Sequence, residues 1–179
     1  MAKPSFLLCG VLVGAVAAAP LTAQGSHPEA LIVDGINLPV AGQARRAQLL
    51  GSVDLYDVAI YAARPLGEST TLASRSVAKA VRVAITFKPD LQSAMAFNWQ
   101  PELIPAMEPD AVAQMRRILM PLRYGDVLRI DYSPERGTTV RVNKDVAVSR
   151  ASHELMLAYL DHWVGQRPLS EELKQALLR

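Results

Sequence analysis

Alternating apolar and polar side chains predict an antiparallel sheet. In residues 79–88, "KAVRVAITFK", every second residue from Val81 is apolar, and Arg82 lies on the opposite face. The segments "VLRIDY" (127–132) and "TTVRVN" (138–143) alternate in the same way. Because "SPERG" between them carries proline and glycine, the two segments are predicted to form a hairpin.

A second hairpin is predicted near the start of the pattern. In "ALIVDGINLPVAG", residues 30–42, the dipeptide Asp34-Gly35 separates two short apolar runs. Asp-Gly is favoured in tight hairpin turns because both central residues adopt positive φ. The next segment, "GQARRAQLLG", has no clear period and predicts no element.

Apolar residues at helical spacing predict four helices. Two cover about 90–99 and 108–120, a third is amphipathic over 149–164, and a short fourth covers 170–178 with Ser170 at its start. Strands and helices are segregated rather than alternating along the chain. The predicted fold class is therefore α+β, an antiparallel sheet with helices packed on one face.

One predicted strand, "GSVDLYDVAIYA" (51–62), mixes apolar residues with two aspartates and two tyrosines. Alternation places Asp54 and Tyr56 on one face and Asp57 and Tyr61 on the other. This pattern indicates a strand between a core and a partly polar cavity. The alternative is that both tyrosines are amphipathic core residues and that Asp57 pairs with Arg82 on a nearby strand.

The N-terminus has the order of parts found in a secretory signal peptide. Lys3 precedes an apolar run over residues 6–19, and small residues follow. We expect a signal peptide over 1–23 and one domain over 24–179, with an uncleaved anchor as the alternative. No membrane span is expected in the mature chain. Cys9 is the single cysteine, so disulfides and thiolate chemistry are not expected there.

Charge and histidine spacing exclude several classes of function. The 19 basic and 17 acidic residues give a net charge of +2 and are interspersed, whereas a nucleic-acid binder usually carries a basic stripe. His27, His153 and His162 lack a metal-ligand spacing. We therefore expect no nucleic-acid partner, no metal and no cofactor.

Three segments together resemble a known family. They are "LYDVAIYA" (55–62), "YGDVLRIDYSPERGTTVRVN" (124–143) and "YLDHWVGQRPLSEELKQALLR" (159–179). In this order they resemble the chalcone isomerase-like proteins, in particular the exported bacterial branch. The resemblance implies an open-faced β-sandwich, a curved antiparallel sheet with a helical layer and a ligand cleft between them. It also implies export across the inner membrane to the periplasm.

The same resemblance implies two kinds of activity. Some members cyclise chalcones to flavanones without a cofactor; others are non-catalytic fatty-acid binders or accessory proteins. The enzymes use an arginine before the central strand, a threonine on it, and a tyrosine with an asparagine in the following helical region. Here Tyr56 occupies the threonine position, an ungapped alignment puts Gln48 at the arginine position, and no tyrosine lies between Tyr61 and Tyr124.

These departures favour binding over catalysis. We expect a small apolar ligand, such as a fatty or aromatic acid, in the cleft. The candidate carboxylate anchor is Arg45 or Arg46, and the candidate lining residues are Tyr56, Tyr61, Arg82, Asn98 and Trp99. A cofactor-independent intramolecular lyase is one alternative. A protein-interaction module whose cleft is filled by its own side chains is the other.

Overall fold

The computed structural model describes residues 27–48, 53–63, 72–86, 113, 116–117, 122–150 and 152–179. Its strands and helices, in chain order, are β1 Ala30–Val33, β2 Ile36–Gln48, β3 Val53–Ala62, β4 Lys79–Ile85, β5 Val127–Ser133, β6 Gly137–Val142, β7 Asp145–Arg150, α1 Glu154–Val164 and α2 Glu171–Leu177. The helices predicted over 90–99 and 108–120 lie essentially outside these residues.

The seven strands form one antiparallel sheet whose spatial order follows the chain, from β1 to β7. Each connection between neighbours is therefore a hairpin or an antiparallel return, which confirms the predicted α+β class. The predicted turn between β1 and β2 is also confirmed, since Asp34 and Gly35 have φ of 46° and 80°. Two successive positive φ values match the right-handed twist of the flanking strands.

Two sequence predictions of element boundaries were wrong. The segment after Gly42, which predicted no element, belongs to β2, and this strand continues to Gln48. Residues 149–150, assigned to a helix, end β7, so the helix begins at Glu154. The sequence signal for β7 was Asn143, which has a φ of 55° in the turn after β6, because asparagine tolerates positive φ in tight turns.

Helices α1 and α2 cover one face of the sheet, called here the helix-facing face. Its core combines alternate strand residues, such as Val58 and Val81, with Met156, Tyr159 and Trp163 of α1, all with no exposed surface. Helix α2 approaches β2 at Gly42, where a Cβ would lie 1.7 Å from the carbonyl oxygen of Leu177. Glycine is thus required there for the close contact.

The opposite face, called here the outer face, is partly covered by the hairpin of β1 and β2. Val33 and Leu38 of the hairpin pack with Ala59, Tyr61 and Ala80 in a second, smaller apolar cluster. Register shifts in the pairing with β3, the first between Val40 and Gly42, interrupt the long β2 strand. Such irregularities bend a strand and increase its twist, which is consistent with the curled sheet.

Candidate functional site

Tyr56 lies at the centre of a buried aromatic group on the helix-facing face. Its hydroxyl accepts a hydrogen bond from Nε1 of Trp163 at 3.2 Å. Trp163 in turn stacks on Tyr159, with ring centroids 6.1 Å apart. All three side chains have no exposed surface, and burial raises the pKa of Tyr159. The Trp163 contact holds the Tyr56 hydroxyl at one position between sheet and helix.

Arg46 and Arg45, adjacent in sequence, lie on opposite faces of β2. Arg46 pairs directly with Tyr56 across the strands, and directly opposite residues share a face. Ala44, two residues before it, packs against the helix-facing core. Arg46 is therefore beside Tyr56, and its side chain is half-buried.

Arg45 belongs to the outer face, where two aspartates hold it. Its Nε donates to Asp57 at 2.8 Å and its Nη1 to Asp54 at 3.1 Å. The hydrogen bond and the charge of Asp57 raise the pKa of the Arg45 guanidinium. The structure thus gives Asp57 an arginine partner on β2, Arg45, whereas the sequence suggested Arg82 on β4.

A β-bulge at Leu55 corrects the predicted alternation of β3. Arg46 pairs with Tyr56, but the next residue, Ala47, pairs with Asp54, so Leu55 has no partner in the ladder. Leu55 joins Tyr56 in the helix-facing core, and Asp54 contacts Arg45 on the outer face. The prediction that Asp54 and Tyr56 share a face was therefore wrong, because the extra residue reverses the alternation.

Tyr61 and Arg82 both lie on the outer face, away from Tyr56. The Tyr61 hydroxyl donates to the Pro28 carbonyl at 3.0 Å, and burial raises the pKa of this phenol. Arg82 Nη1 lies 2.9 Å from Nδ1 of His27. Burial and the nearby Arg82 charge lower the pKa of His27 to about 4, so the imidazole is neutral and accepts the hydrogen bond.

The seven candidate residues thus do not form one cluster. Arg46 and Tyr56 are neighbours on the helix-facing face. Arg45, Tyr61 and Arg82 lie on the outer face and are tied into its own network. Asn98 and Trp99 lie outside the described residues.

Sequence reasoning missed a buried lysine. Lys79 begins β4, has no exposed surface, and donates to the carbonyls of Leu72 (2.7 Å) and Ser74 (2.6 Å). Its Nζ also lies 3.1 Å from Nε2 of His153 and 5.0 Å from the centroid of the Tyr132 ring. Burial lowers the pKa of Lys79 to about 8. The sequence contained a signal for this burial, since Lys79 lies two residues before Val81 and therefore on the same face of β4 as its apolar residues.

A groove of about 960 Å³ lies beside α1 and α2. Its volume is within the range of small-molecule sites. Polar groups at its edge include Glu154, Asp161 and Lys174. Its apolar lining comes from Leu72, Leu157, Ala158, Leu160, Val164 and Leu178.

The described part of the chain has neither a metal-binding cluster nor a membrane-spanning helix. There, no group of three histidine, cysteine, aspartate or glutamate side chains is arranged to hold a metal ion. Within the same residues, no helix combines the length and apolar character needed to cross a bilayer.

Comparisons with known proteins agree with this architecture. A family profile described as "Chalcone isomerase-like" matches residues 21–179. Among solved structures, the chain is similar to a fatty-acid binding protein from Arabidopsis thaliana, AtFAP1. The TM-score is 0.50 and the identity 14%, with 84% of this chain and 96% of that chain covered. No curated protein gives a significant match. At this identity the structural likeness concerns the fold alone.

Proposed function

The chain belongs to the chalcone isomerase-like family, and from this membership we propose that it is a non-catalytic protein that binds an apolar carboxylic acid on the helix-facing side of the sheet. The observation that carries the proposal is the direct pairing of Arg46 with Tyr56. A guanidinium forms strong, charge-assisted hydrogen bonds with a carboxylate. Here it lies two residues from Ala44, a partly buried apolar residue of the same face that can contact an apolar tail.

The buried aromatic group beside Arg46 is held in a fixed arrangement. Because Trp163 donates to the Tyr56 hydroxyl, the position of the phenol ring is fixed. Pre-organisation of this kind lowers the entropy cost of binding. The fatty-acid binding activity named for the similar Arabidopsis protein supports a ligand of the same class.

Two sequence features argue against the lyase alternative. Tyr56 stands where the family's enzymes carry a threonine, and no tyrosine lies between Tyr61 and Tyr124. A chalcone cyclisation assay tests this directly, and we expect a rate equal to that of buffer. Turnover that is lost in Tyr56→Phe would establish catalysis instead.

A filled cleft is the second candidate, and one observation favours it. Tyr56, Tyr159 and Trp163 have no exposed surface, so these side chains already occupy the space beside Arg46. In that case the protein would act through a protein partner rather than through a small ligand.

Native mass spectrometry of the purified protein with a panel of fatty and aromatic acids separates these candidates. We expect a 1:1 complex that Arg46→Gln weakens by about tenfold or more, the effect of losing one strong charged hydrogen bond. Arg45→Gln is the matched control, since this neighbouring arginine faces the other way. The absence of any complex would support the filled cleft, and equal loss in both variants would contradict Arg46 as the anchor.

We also propose that residues 1–23 direct export and are then removed, which would place the mature domain in the periplasm. The support is the order of Lys3, the apolar run over 6–19 and the small residues after it. N-terminal sequencing of protein from a periplasmic extract should begin near Gln24. An unprocessed chain in the membrane fraction would indicate an anchor.

A further inference from the structure

Three arginines lie side by side on the outer face, on three successive strands. Arg82 of β4 pairs directly with Arg129 of β5, and Arg129 pairs directly with Arg141 of β6. Like charges directly opposite each other destabilise a sheet. This row therefore needs negative charge nearby.

Two aspartates supply part of that charge. Asp131 accepts from Nε of Arg129 at 2.6 Å, while its other oxygen is 3.5 Å from Nε of Arg141. Asp34 pairs with Arg136 at 3.1 Å. These ion pairs join the guanidinium groups of Arg129, Arg136 and Arg141 to only two carboxylates. One positive charge is therefore in excess. Arg141 has the longest of the three contacts and is the least tightly held.

These side chains surround a pocket of about 190 Å³. The β1 end of the pocket is fixed, because Arg129 Nη2 donates to the Ile32 carbonyl at 2.6 Å and Ser133 is hydrogen-bonded to Asp34. Thr139 completes the polar lining. The volume is below the range of drug-sized ligands but accommodates a five-atom oxyanion with a few waters.

We propose that this pocket binds a tetrahedral oxyanion, namely a phosphate or a phosphomonoester, through Arg129, Arg136 and Arg141. Guanidinium groups match phosphate geometry in a two-point contact, and the hydroxyl of Thr139, which also lines the pocket, can donate to a third oxygen. Bound phosphate would neutralise the excess positive charge of the pocket. Since Asp131 and Asp34 also face the pocket, the affinity is limited by repulsion from their carboxylates. The site is on the face opposite Arg46 and is independent of the carboxylate site proposed above.

Calorimetry and thermal unfolding of the purified protein test the proposal. Inorganic phosphate and glycerol 3-phosphate are compared with sodium chloride at equal ionic strength, because salt alone screens the arginines. Flotation with phosphatidic acid vesicles, against phosphatidylcholine vesicles, tests the headgroup source. Soluble phosphates that bind indicate a soluble ligand, and binding to phosphatidic acid vesicles alone indicates a lipid headgroup. A response no larger than that to chloride, together with no preference for phosphatidic acid, overturns the proposal.

Two variants with opposite expected effects exclude a purely structural explanation. Arg141→Gln should weaken phosphate binding by about tenfold or more, whereas Asp131→Asn should strengthen it by removing a competing carboxylate. Arg45→Gln, on the same face but outside the pocket, should leave binding unchanged. If Arg141→Gln does not fold, Arg141→Lys keeps the charge and loses the two-point geometry, so it should bind several-fold more weakly. Equal binding by Arg141→Lys, or weaker binding by Asp131→Asn, contradicts the assignment.

Discussion

The two faces of this sheet are stabilised in different ways. The helix-facing face is an apolar core whose polar contacts include the hydrogen bond from Trp163 to Tyr56. The outer face combines a small apolar cluster with a network of arginines and aspartates. The difference shows that residue type alone does not assign a role here. Arg45 and Arg46 are adjacent in the chain, yet they lie on opposite faces. The same holds for Tyr56 and Tyr61, which belong to one strand.

Among the variants that test this comparison, Trp163→Ala is expected to have the largest effect on stability. Removing a fully buried indole leaves a cavity and should lower the free energy of unfolding by about 3–5 kcal/mol. The variant also leaves the Tyr56 hydroxyl without the Trp163 donor. Tyr61→Phe is the outer-face counterpart, since it removes only the hydrogen bond to Pro28 and should cost about 1 kcal/mol. Urea unfolding measures both, and a larger loss in Tyr61→Phe would contradict the division.

A smaller loss is expected from Gly42→Ala, which tests the contact between β2 and α2. The new Cβ would lie 1.7 Å from the backbone oxygen of Leu177, so the helix would have to shift. Overpacking of this kind costs about 1–3 kcal/mol. Gln43→Ala changes the next residue, which is exposed and on the outer face, and should have little effect. Equal stability of Gly42→Ala and the wild type in urea would show that α2 adapts freely.

Lys79 is a buried lysine on the helix-facing side, and Lys79→Met tests its contacts. Methionine keeps most of the volume but leaves the carbonyls of Leu72 and Ser74 without the Nζ donor. Buried acceptors without a partner cost about 1–3 kcal/mol each, partly offset because a buried charge is removed. We expect a net loss of about 1–2 kcal/mol in chemical unfolding. A gain in stability would mean that the cost of burying the charge outweighs the contacts that Nζ makes.

Some features of both faces could be predicted from the sequence, because the signals were local. The alternation from Val81 to Ile85 gave the correct faces of β4. The Asp34-Gly35 turn and the Ser170 N-cap, whose hydroxyl accepts from the backbone of Leu173, depend on residues close in the chain.

The division of the candidate site could not be predicted, because it depends on register. Arg45 and Arg46 differ only in which of them lies opposite Tyr56, and neighbouring residues alternate between faces. The bulge at Leu55 was equally hidden, since Leu55 and Tyr56 are both compatible with a buried position. Only the pairing between β2 and β3 decides these assignments.

The smallest effect is expected from acid, and it tests the outer face through His27. The pKa of His27 is lowered from 6.5 to about 4 in the folded protein, so the unfolded chain binds its proton first as the pH falls. The contribution of His27 to the free energy of unfolding should therefore decrease between about pH 6.5 and pH 4 and level off below that range. His153, whose pKa is also lowered by burial and by Lys79, contributes in the same direction, so each histidine must be removed separately. His27→Gln should flatten part of the slope, with the remainder carried by His153→Gln.

Because Arg82 faces His27 at 2.9 Å, a protonated imidazole would also add a fourth positive charge beside the row of Arg82, Arg129 and Arg141. An acid slope that is unchanged in His27→Gln would mean that this contact is solvated, and that the outer face tolerates the added charge.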